Sequence, residues 1–451
     1  MLIEFRVSNY RSIGEEQVLS LVPVANQKEH VENIIETGNY SCLNSIAIYG
    51  ANGSGKSNLL RSMRLLDRII HLSARSSSTT PLPYDPFLLR EGWDKKPTKF
   101  EVIFINESNR YRYGIEFIKS RIKREWLYRK SQGREVSLFV RENDLIDPSS
   151  GFQGNRKLIN SAIEATRPNS LFLSTCDMFN VEEAKAILKW FKKFNMIDGL
   201  NTEREEITTV DLWSDPKYRE EIDKYLKRLN LGLVGIDISI KDFEPSELPE
   251  GMDEEARRLI TNELTGAKGF SVSARHNSYS KSGDLKRDPV VWRFEDRESS
   301  GTKKAFHLSG PILWALINGG VLIIDEIEAK AHPKITLDII SIFLDKKTNP
   351  NNSQLIFSTH DTNLLSYSNL RRDQIYFSEK NNWESTEIYS LSDFVYLSND
   401  QPEKYKKDRP DVDKEKRYLE GRYGAIPMLG ELKISRLEKN GEEKASKKNR
   451  K

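Results

Sequence analysis

The chain has 451 residues, 37% hydrophobic and 30% charged, long enough for a large core and more than one lobe. Lysine plus arginine number 70 against 67 aspartate plus glutamate, a net charge of +3, so bulk charge gives no reason to expect nucleic-acid binding and any such contact must come from a local patch. Acidic residues stand where a signal peptide needs an apolar core, and no run approaches the ~18 apolar residues of a membrane span, so a cytoplasmic protein with no membrane partner is expected. The two cysteines, Cys42 and Cys176, make neither a disulfide framework nor a metal site, and the six histidines, at 30, 71, 276, 307, 332 and 360, lack metal-ligand spacing.

In chain order, Ile3, Phe5 and Val7 alternate with Glu4 and Arg6, and Gln17 to Val22 can return as a partner strand, which predicts an opening β-hairpin. The apolar run Ser45 to Tyr49 predicts a strand leading into the glycine-rich stretch Gly50 to Leu60. The Ser/Thr/Pro-rich segment 73–86 predicts a surface loop. A second hairpin follows, with Phe100, Val102 and Phe104 alternating on one arm and Tyr111, Tyr113, Ile115 and Phe117 on the other. Residues 119–130 are basic with Trp126 and Tyr128 interleaved, a pattern that suits either a backbone-tracking, base-stacking surface or an exposed strand with a solvated face.

From about residue 150 the period becomes helical. Asn180 with Glu183 reads as a helix cap before Ala184, Ile187, Leu188 and Phe191, and Asp215-Pro216 starts another helix. Residues 241–258 are acidic with three Pro or Gly and read as a mobile excursion. The Val/Ile-rich run from Gly320 to Ile324 has no polar alternation, as in a strand buried on both faces, and ends in Asp325-Glu326. A helix over 333–345 and a strand over 354–358 follow, the strand ending in Thr359-His360-Asp361.

Three of these stretches carry chemistry. Gly50, Gly55, Lys56 and Ser57 satisfy a phosphate-loop pattern between a strand and a helix; its N–H groups can cradle phosphate, Lys56 can reach the β- and γ-oxygens, and the Ser57 hydroxyl can bind Mg²⁺. Asp325 at its strand end is placed to bind Mg²⁺ through water, and Glu326 to deprotonate an attacking water. A single helix separates the carboxylate strand from the next, so the two should lie side by side and present His360 to the γ-phosphate. Upstream, Ser300 and Gly301 open the apolar helical run 305–316, an anion-binding position.

The order of phosphate loop, long insertion, Ser-Gly before a helix, carboxylate strand and histidine strand resembles that of ABC-type ATPases. Asn9-Tyr10-Arg11-Ser12, the loop 50–58, the stretch 325–333 and Ser358-Thr-His-Asp361 resemble the SMC, RecF and OLD branch of that class. The Glu298-Ser-Ser-Gly-Thr302 form and the late stretch from Tyr418 to Pro427 resemble the stand-alone ATPases of prokaryotic defence loci, the RloA and AbiL-like group.

The resemblance implies an α/β fold: an ABC-type phosphate-loop ATPase head with an antiparallel β subdomain, a mainly parallel core sheet and an inserted helical lobe. The boundaries it suggests are 1–150, 151–298, 299–395 and a charged extension, 396–451. It further implies ATP and Mg²⁺ as cofactors. Nucleotide contacts would come from Asn52, Gly53, Ser54, Gly55, Lys56, Ser57, Asn58 and Arg11, metal binding from Ser57 and Asp325, and catalysis from Glu326 and His360. Ser300 and Gly301 would close the partner's site in a homodimer or higher homo-oligomer.

Two features depart from the pattern: Ser-Ser-Gly-Thr replaces a double-glycine signature, and neither Gln132 nor Gln153 follows a strand end where a metal-binding glutamine is expected. The expected function is a sensor or regulatory ATPase of an anti-phage system acting on a separate effector protein such as a nuclease. A RecF-like clamp binding nucleic acid directly is the alternative, and a scaffold that hydrolyses ATP slowly a third. Asp411-Val-Asp413 lies in a charged stretch and is not expected to hold a metal.

Overall fold

Strands without polar alternation must be covered on both faces, and Ser45–Tyr49, Val321–Asp325 and Gln354–Ser358 are each buried along their whole length. In the computed structural model, which describes residues 1–242, 244–249, 251–264, 268–394, 396–398, 401–406 and 412–427, they lie together in a six-stranded sheet. Its order is Phe194–Asp198, Val321–Asp325, Gln354–Ser358, Ser45–Tyr49, Ile375–Lys380, Thr386–Ser390. The first five run parallel, and the last returns antiparallel from its neighbour. The carboxylate and histidine strands are therefore adjacent, as one intervening helix (Pro333–Leu344) requires. All three chemical motifs leave the same carboxyl edge, where open parallel sheets bind ligands.

A seven-stranded antiparallel sheet carries the expected first hairpin, Leu2–Ser8 with Gln17–Ser20, and the second, Thr98–Asn106 with Asn109–Ile118. It continues through Arg121–Lys130, Val136–Glu142 and Leu145–Pro148. The alternating residues Phe5, Phe100, Phe104, Ile115 and Phe117 turn inward onto one core with the helix Lys56–Leu72. Gln354 joins the two sheets. Its Oε1 accepts from the Leu2 N–H, and its Nε2 donates to the Leu2 and Leu43 carbonyls.

The basic stretch 119–130 is corrected by this sheet. It is a strand, as one reading had it, but paired on both sides and partly buried on both faces, and not a base-stacking surface. Trp126 is only 7% exposed; its ring lies against Gly114 and its Nε1 donates to Glu101. Tyr128 is covered by the Arg112 guanidinium, 4.2 Å from the ring centre. Glu125 is fully buried, and the run of letters that looked basic hides a buried anion.

Three further expectations change. Asn180 does not cap the helix Glu182–Phe191; it sits in a left-handed turn one residue too early, Val181 is the cap, and Glu183 turns inward to accept from Tyr111 and Arg129. The face Ala184, Ile187, Leu188 and Phe191 is buried as expected, and Asp215 does cap its helix, accepting from the Lys217 N–H. In place of an excursion, the described residues around 241–258 hold the end of a strand and most of a helix. Gly235–Asp242, Lys268–His276 and Val290–Arg293 form a small antiparallel sheet, with the helix Glu254–Leu264 between its first two strands. The stretch expected as a helical lobe also contributes the core strand Phe194–Asp198. The tail beyond residue 427 and Asp411 lie outside the described residues.

Glu125 accepts from the Phe172 and Leu173 N–H groups and from the Tyr113 hydroxyl, and stands 3.7 Å from buried Arg141. Removing it would orphan two helix-terminal donors and leave the guanidinium without a counter-charge. Glu125→Ala is expected to lose about 3–5 kcal/mol of stability, read from the denaturant midpoint. A loss below about 1 kcal/mol would show that this pair does not hold the sheet to the helix.

Candidate functional site

The phosphate loop begins where the core strand ends at Tyr49. Gly50 has φ 154° and a Cβ there would stand 2.3 Å from the Ser378 carbonyl; Gly55 has φ 109° and its Cβ would meet the Thr386 hydroxyl at 2.0 Å. Only glycine fits such close approach. The Ser378 and Thr386 hydroxyls both donate to the Ser54 carbonyl, so the neighbouring hairpin clamps the loop from outside. Ser54 is buried, and its hydroxyl has no hydrogen-bond partner among the described residues. Asn52 and Gly53 are exposed at the loop's tip.

Lys56 is buried, and its Nζ donates to the Gly50 and Ala51 carbonyls at 2.8 and 3.1 Å. Burial lowers its pKa to about 8, against the opposing pull of Asp325, Glu326 and Glu328. Asn58 does not reach into the loop; it donates to Ser12, which also bonds Thr386. Arg11 is likewise turned away: its Nε donates to Asp85 at 2.7 Å, and it does not line the cleft above the loop. From the Asn-Tyr-Arg-Ser turn, Ser12 makes the contact to the loop.

One hydroxyl fixes the Asp325 carboxylate and the Glu326 backbone. Ser358 Oγ donates to Asp325 Oδ1 at 2.5 Å and accepts from the Glu326 N–H at 2.8 Å. Asp325 is buried, and Glu326 sits at φ 52°, a left-handed turn that ends the strand. Partial burial, then the charges of Asp325 and Glu328, raise the Glu326 pKa, the direction a general base at neutral pH needs. His360 is exposed at its strand end; desolvation and the Lys56 charge lower its pKa and favour the neutral imidazole.

Two residues here were not foreseen. Glu328 Oε1 accepts from the His360 N–H at 2.6 Å, while its Oε2 is buried without a partner among the described residues. Asp198 stands in register with Asp325 on the adjoining parallel strand, and the Gly199 N–H donates to the Asp325 carbonyl. The expected metal-binding glutamine had no assigned position in the sequence; Gln132 lies in a turn of the other sheet and Gln153 beside Glu183.

A cleft of about 730 Å³ opens over the loop, lined by residues 50–54, His360, Thr362, Lys380 and the late segment with Tyr418, Ile426 and Pro427. This segment was expected as part of a charged extension, its 418–427 stretch marked only by a family resemblance. Tyr418 stacks on Phe377 at 5.4 Å, and its hydroxyl donates to the Ala425 carbonyl. Tyr389 donates to the Tyr423 carbonyl, and Ala425 N–H to Glu379. The aromatic and glycine letters between 418 and 427 were the available signal.

The Ser-Gly element lies elsewhere. Ser299, not Ser300, caps the helix Ser300–Asn318, accepting from the Thr302 N–H. Ser300 is exposed, and neither it nor Gly301 lines the cleft. Buried Lys304 donates to the Ile327 and Ala329 carbonyls, and a Cβ on Gly301 would stand 3.2 Å from the Lys330 carbonyl. Glu298 is held from the small sheet by Trp292 and His276.

A parallel sheet that gathers a phosphate loop, an Asp-Glu pair and a histidine on one edge, with a Ser-Gly helix start packed behind the carboxylates, has the arrangement of a phosphate-loop nucleotide-binding domain. The chain belongs to the family described as "AAA domain, putative AbiEii toxin, Type IV TA system", whose family model matches residues 45–366. Among solved structures it is similar to the SMC head domain from Thermotoga maritima, at 11% identity and TM-score 0.39 over 86% of this chain and 98% of that one. It is similar also to the Smc head domain with a coiled coil and joint from Pyrococcus yayanosii, at 12% identity and TM-score 0.39 over 94% and 99%. The recombination mediator RecF with ATPrS matches at 14% identity and TM-score 0.31 over 86% and 98%. No curated protein matches the chain. Among the described residues no helix is long and apolar enough to cross a membrane.

Lys56 gives a pH signature. A phosphate beside Nζ favours the charged form and raises a pKa that burial holds at about 8. ATP binding at pH 8–9 should therefore take up protons, and affinity should fall by up to about tenfold per pH unit above 8. Calorimetry in two buffers of different ionisation enthalpy reads the uptake; equal heats, or the same uptake in Lys56→Met, would refute the assignment.

Proposed function

We propose that the chain binds and hydrolyses ATP at a site shared between two copies and uses the closure to control a separate effector protein in an anti-phage, abortive-infection-like system. The adjacency of Lys56, Asp325, Glu326 and His360 on one sheet edge, with Ser300 turned away from that edge, carries the reading. The β- and γ-phosphates of ATP would lie against the N–H groups of residues 52–57, with Lys56 exchanging its two carbonyl partners for phosphate oxygens. Ser57 and Asp325 would hold Mg²⁺: a hydroxyl and a buried carboxylate suit a hard cation, which when bound neutralises charge on the phosphate oxygens. Glu326 takes a proton from water as the water oxygen bonds to the γ-phosphorus and the bond to the β,γ-bridging oxygen breaks, leaving ADP and phosphate. Neutral His360 stands beside the γ-phosphate, and the partner's Ser-Gly helix start completes the site. Lys304 and Gly301 fasten each chain's signature helix to its own carboxylate loop, so the two sites move together.

The defence role is supported by the family's description and by the 418–427 stretch, which turns out to wall the cleft. The alternative, a RecF-like clamp on nucleic acid, took its sequence support from residues 119–130, where Trp126 is buried.

Glu326→Gln should bind ATP within about threefold of the parent while hydrolysis falls at least about 100-fold, trapping the closed dimer. Equal turnover would remove Glu326 from the mechanism. Ser300→Arg should leave binding to one chain intact and abolish ATP-dependent association, measured by sedimentation; association that persists would refute the shared site. Native mass spectrometry of Glu326→Gln purified from its own host with Mg-ATP tests the role. A stoichiometric second polypeptide supports the effector pair, and a homo-oligomer carrying only nucleic acid overturns it in favour of the clamp.

A further inference from the structure

The signature helix carries a buried histidine that the ATPase mechanism does not use. His307 is 3% exposed. Its Nδ1 lies 3.1 Å from the Thr202 hydroxyl, and its Nε2 has no hydrogen-bond partner among the described residues. Glu295, in the short helix Phe294–Arg297 just before the Ser-Ser-Gly element, brings Oε1 to 3.8 Å from Nε2, too far for a hydrogen bond. Glu206, on the helix Glu203–Ser214, completes a cluster in which one atom from each residue lies within 4.8 Å of the others. No spacing in the sequence reveals it, since the three residues come from different elements and meet only in the fold.

We propose that His307 Nε2, Glu206 and Glu295 bind a first-row divalent cation, Zn²⁺ or Mn²⁺, at a site separate from the nucleotide. A histidine ligand needs its second nitrogen held so that the lone pair faces the metal, and the Nδ1–Thr202 Oγ1 hydrogen bond does this in the tautomer that carries the proton on Nδ1. Glu295 divides its oxygens: Oε2 pairs with Lys303 at 3.0 Å, leaving Oε1 toward the histidine. Zinc bonds of about 2.0–2.2 Å place tetrahedral ligands roughly 3.4 Å apart, a contraction that rotation of two incompletely buried glutamates can supply. One imidazole and two carboxylates suit Zn²⁺ or Mn²⁺ better than soft-metal thiolate sites or all-oxygen Ca²⁺ sites, and three protein ligands leave a position for water.

Negative charge dominates the site, with Glu203 adding to Glu206 and Glu295 against Lys303 and Lys330. His307 lies seven residues, about two turns, along the helix from Ser300. An ion there would pin the start of the signature helix to the insertion helix that follows the Asp198 strand. It would thereby limit how Ser300 is presented to a second copy.

The test uses full-length, nucleotide-free protein, stripped with a chelator and titrated with ZnCl₂ or MnCl₂ against a competing indicator, with bound metal counted by mass spectrometry of the elements. About one equivalent is expected in the parent, with at least tenfold weaker binding in Glu206→Gln and Glu295→Gln, both of which should keep the parent circular dichroism. Asp325→Asn should bind the ion as the parent does. Parent-like binding in both glutamate variants, less than a tenth of an equivalent in the parent, or binding lost only in Asp325→Asn would overturn the site, the last by assigning the ion to the nucleotide edge.

Discussion

The Ser358 hydroxyl is the joint on which the candidate chemistry depends. It gives its proton to Asp325 and receives the Glu326 N–H, so one side chain from the histidine strand fixes the Asp325 carboxylate and the backbone from which Glu326 projects. A serine at that strand end can do this only because the two strands are parallel and in register. A slip of one residue would turn the hydroxyl to the other face of the sheet. Relative positions of acid, base and histidine are therefore a property of strand pairing in the buried centre of the sheet, which is the stiffest place the fold offers. The left-handed turn at Glu326 then bends the chain off the sheet and delivers the loop that Lys304 grips.

Two buried lysines show how the same physics serves different ends. Lys56 and Lys304 each have a pKa lowered by burial to about 8, and each gives its ammonium hydrogens to main-chain carbonyls. Carbonyls compensate desolvation only in part, so each lysine gains by meeting an anion. Lys56 lies under the loop whose residues 50–54 line the open cleft, where a bound phosphate can supply that anion. Lys304 is enclosed under the signature helix, and its partners are the carbonyls of the carboxylate loop. One lysine is positioned to respond to ligand, and the other makes a mechanical connection.

What the sequence made legible follows from how local each signal is. The phosphate loop, the Asp325-Glu326 strand and the His360 strand were readable because each motif and its flanking strand are contiguous, and one helix between two strands dictates adjacency. Both opening hairpins were readable from alternation. Residues 119–130 misled because the strand is central and covered on both faces in its middle, and composition cannot say that Glu125, Trp126 and Leu127 are buried in succession. Asn180 misled by one position, since Asn is as much at home in a left-handed turn as at a cap. Asp198 was invisible because strand order across a long insertion is not written in any local pattern. For the same reason Glu206, Glu295 and His307 could not be grouped beforehand.

The elements outside the parallel sheet divide the work at its edge. The small sheet reaches Glu298 through Trp292 and His276, and so sets where the Ser-Ser-Gly helix start stands. Residues 412–427 reach the opposite side, with Tyr418 stacked on the core and Ile426 and Pro427 walling the cleft over the phosphate loop. Neither element contributes a group to the proposed bond-breaking step; the small sheet bears on the Ser-Ser-Gly helix start, and residues 412–427 bear on the cleft. On the proposed reading, displacing the small sheet would act on closure between copies and displacing the 412–427 turn on nucleotide entry, through two separate elements attached to one stiff sheet.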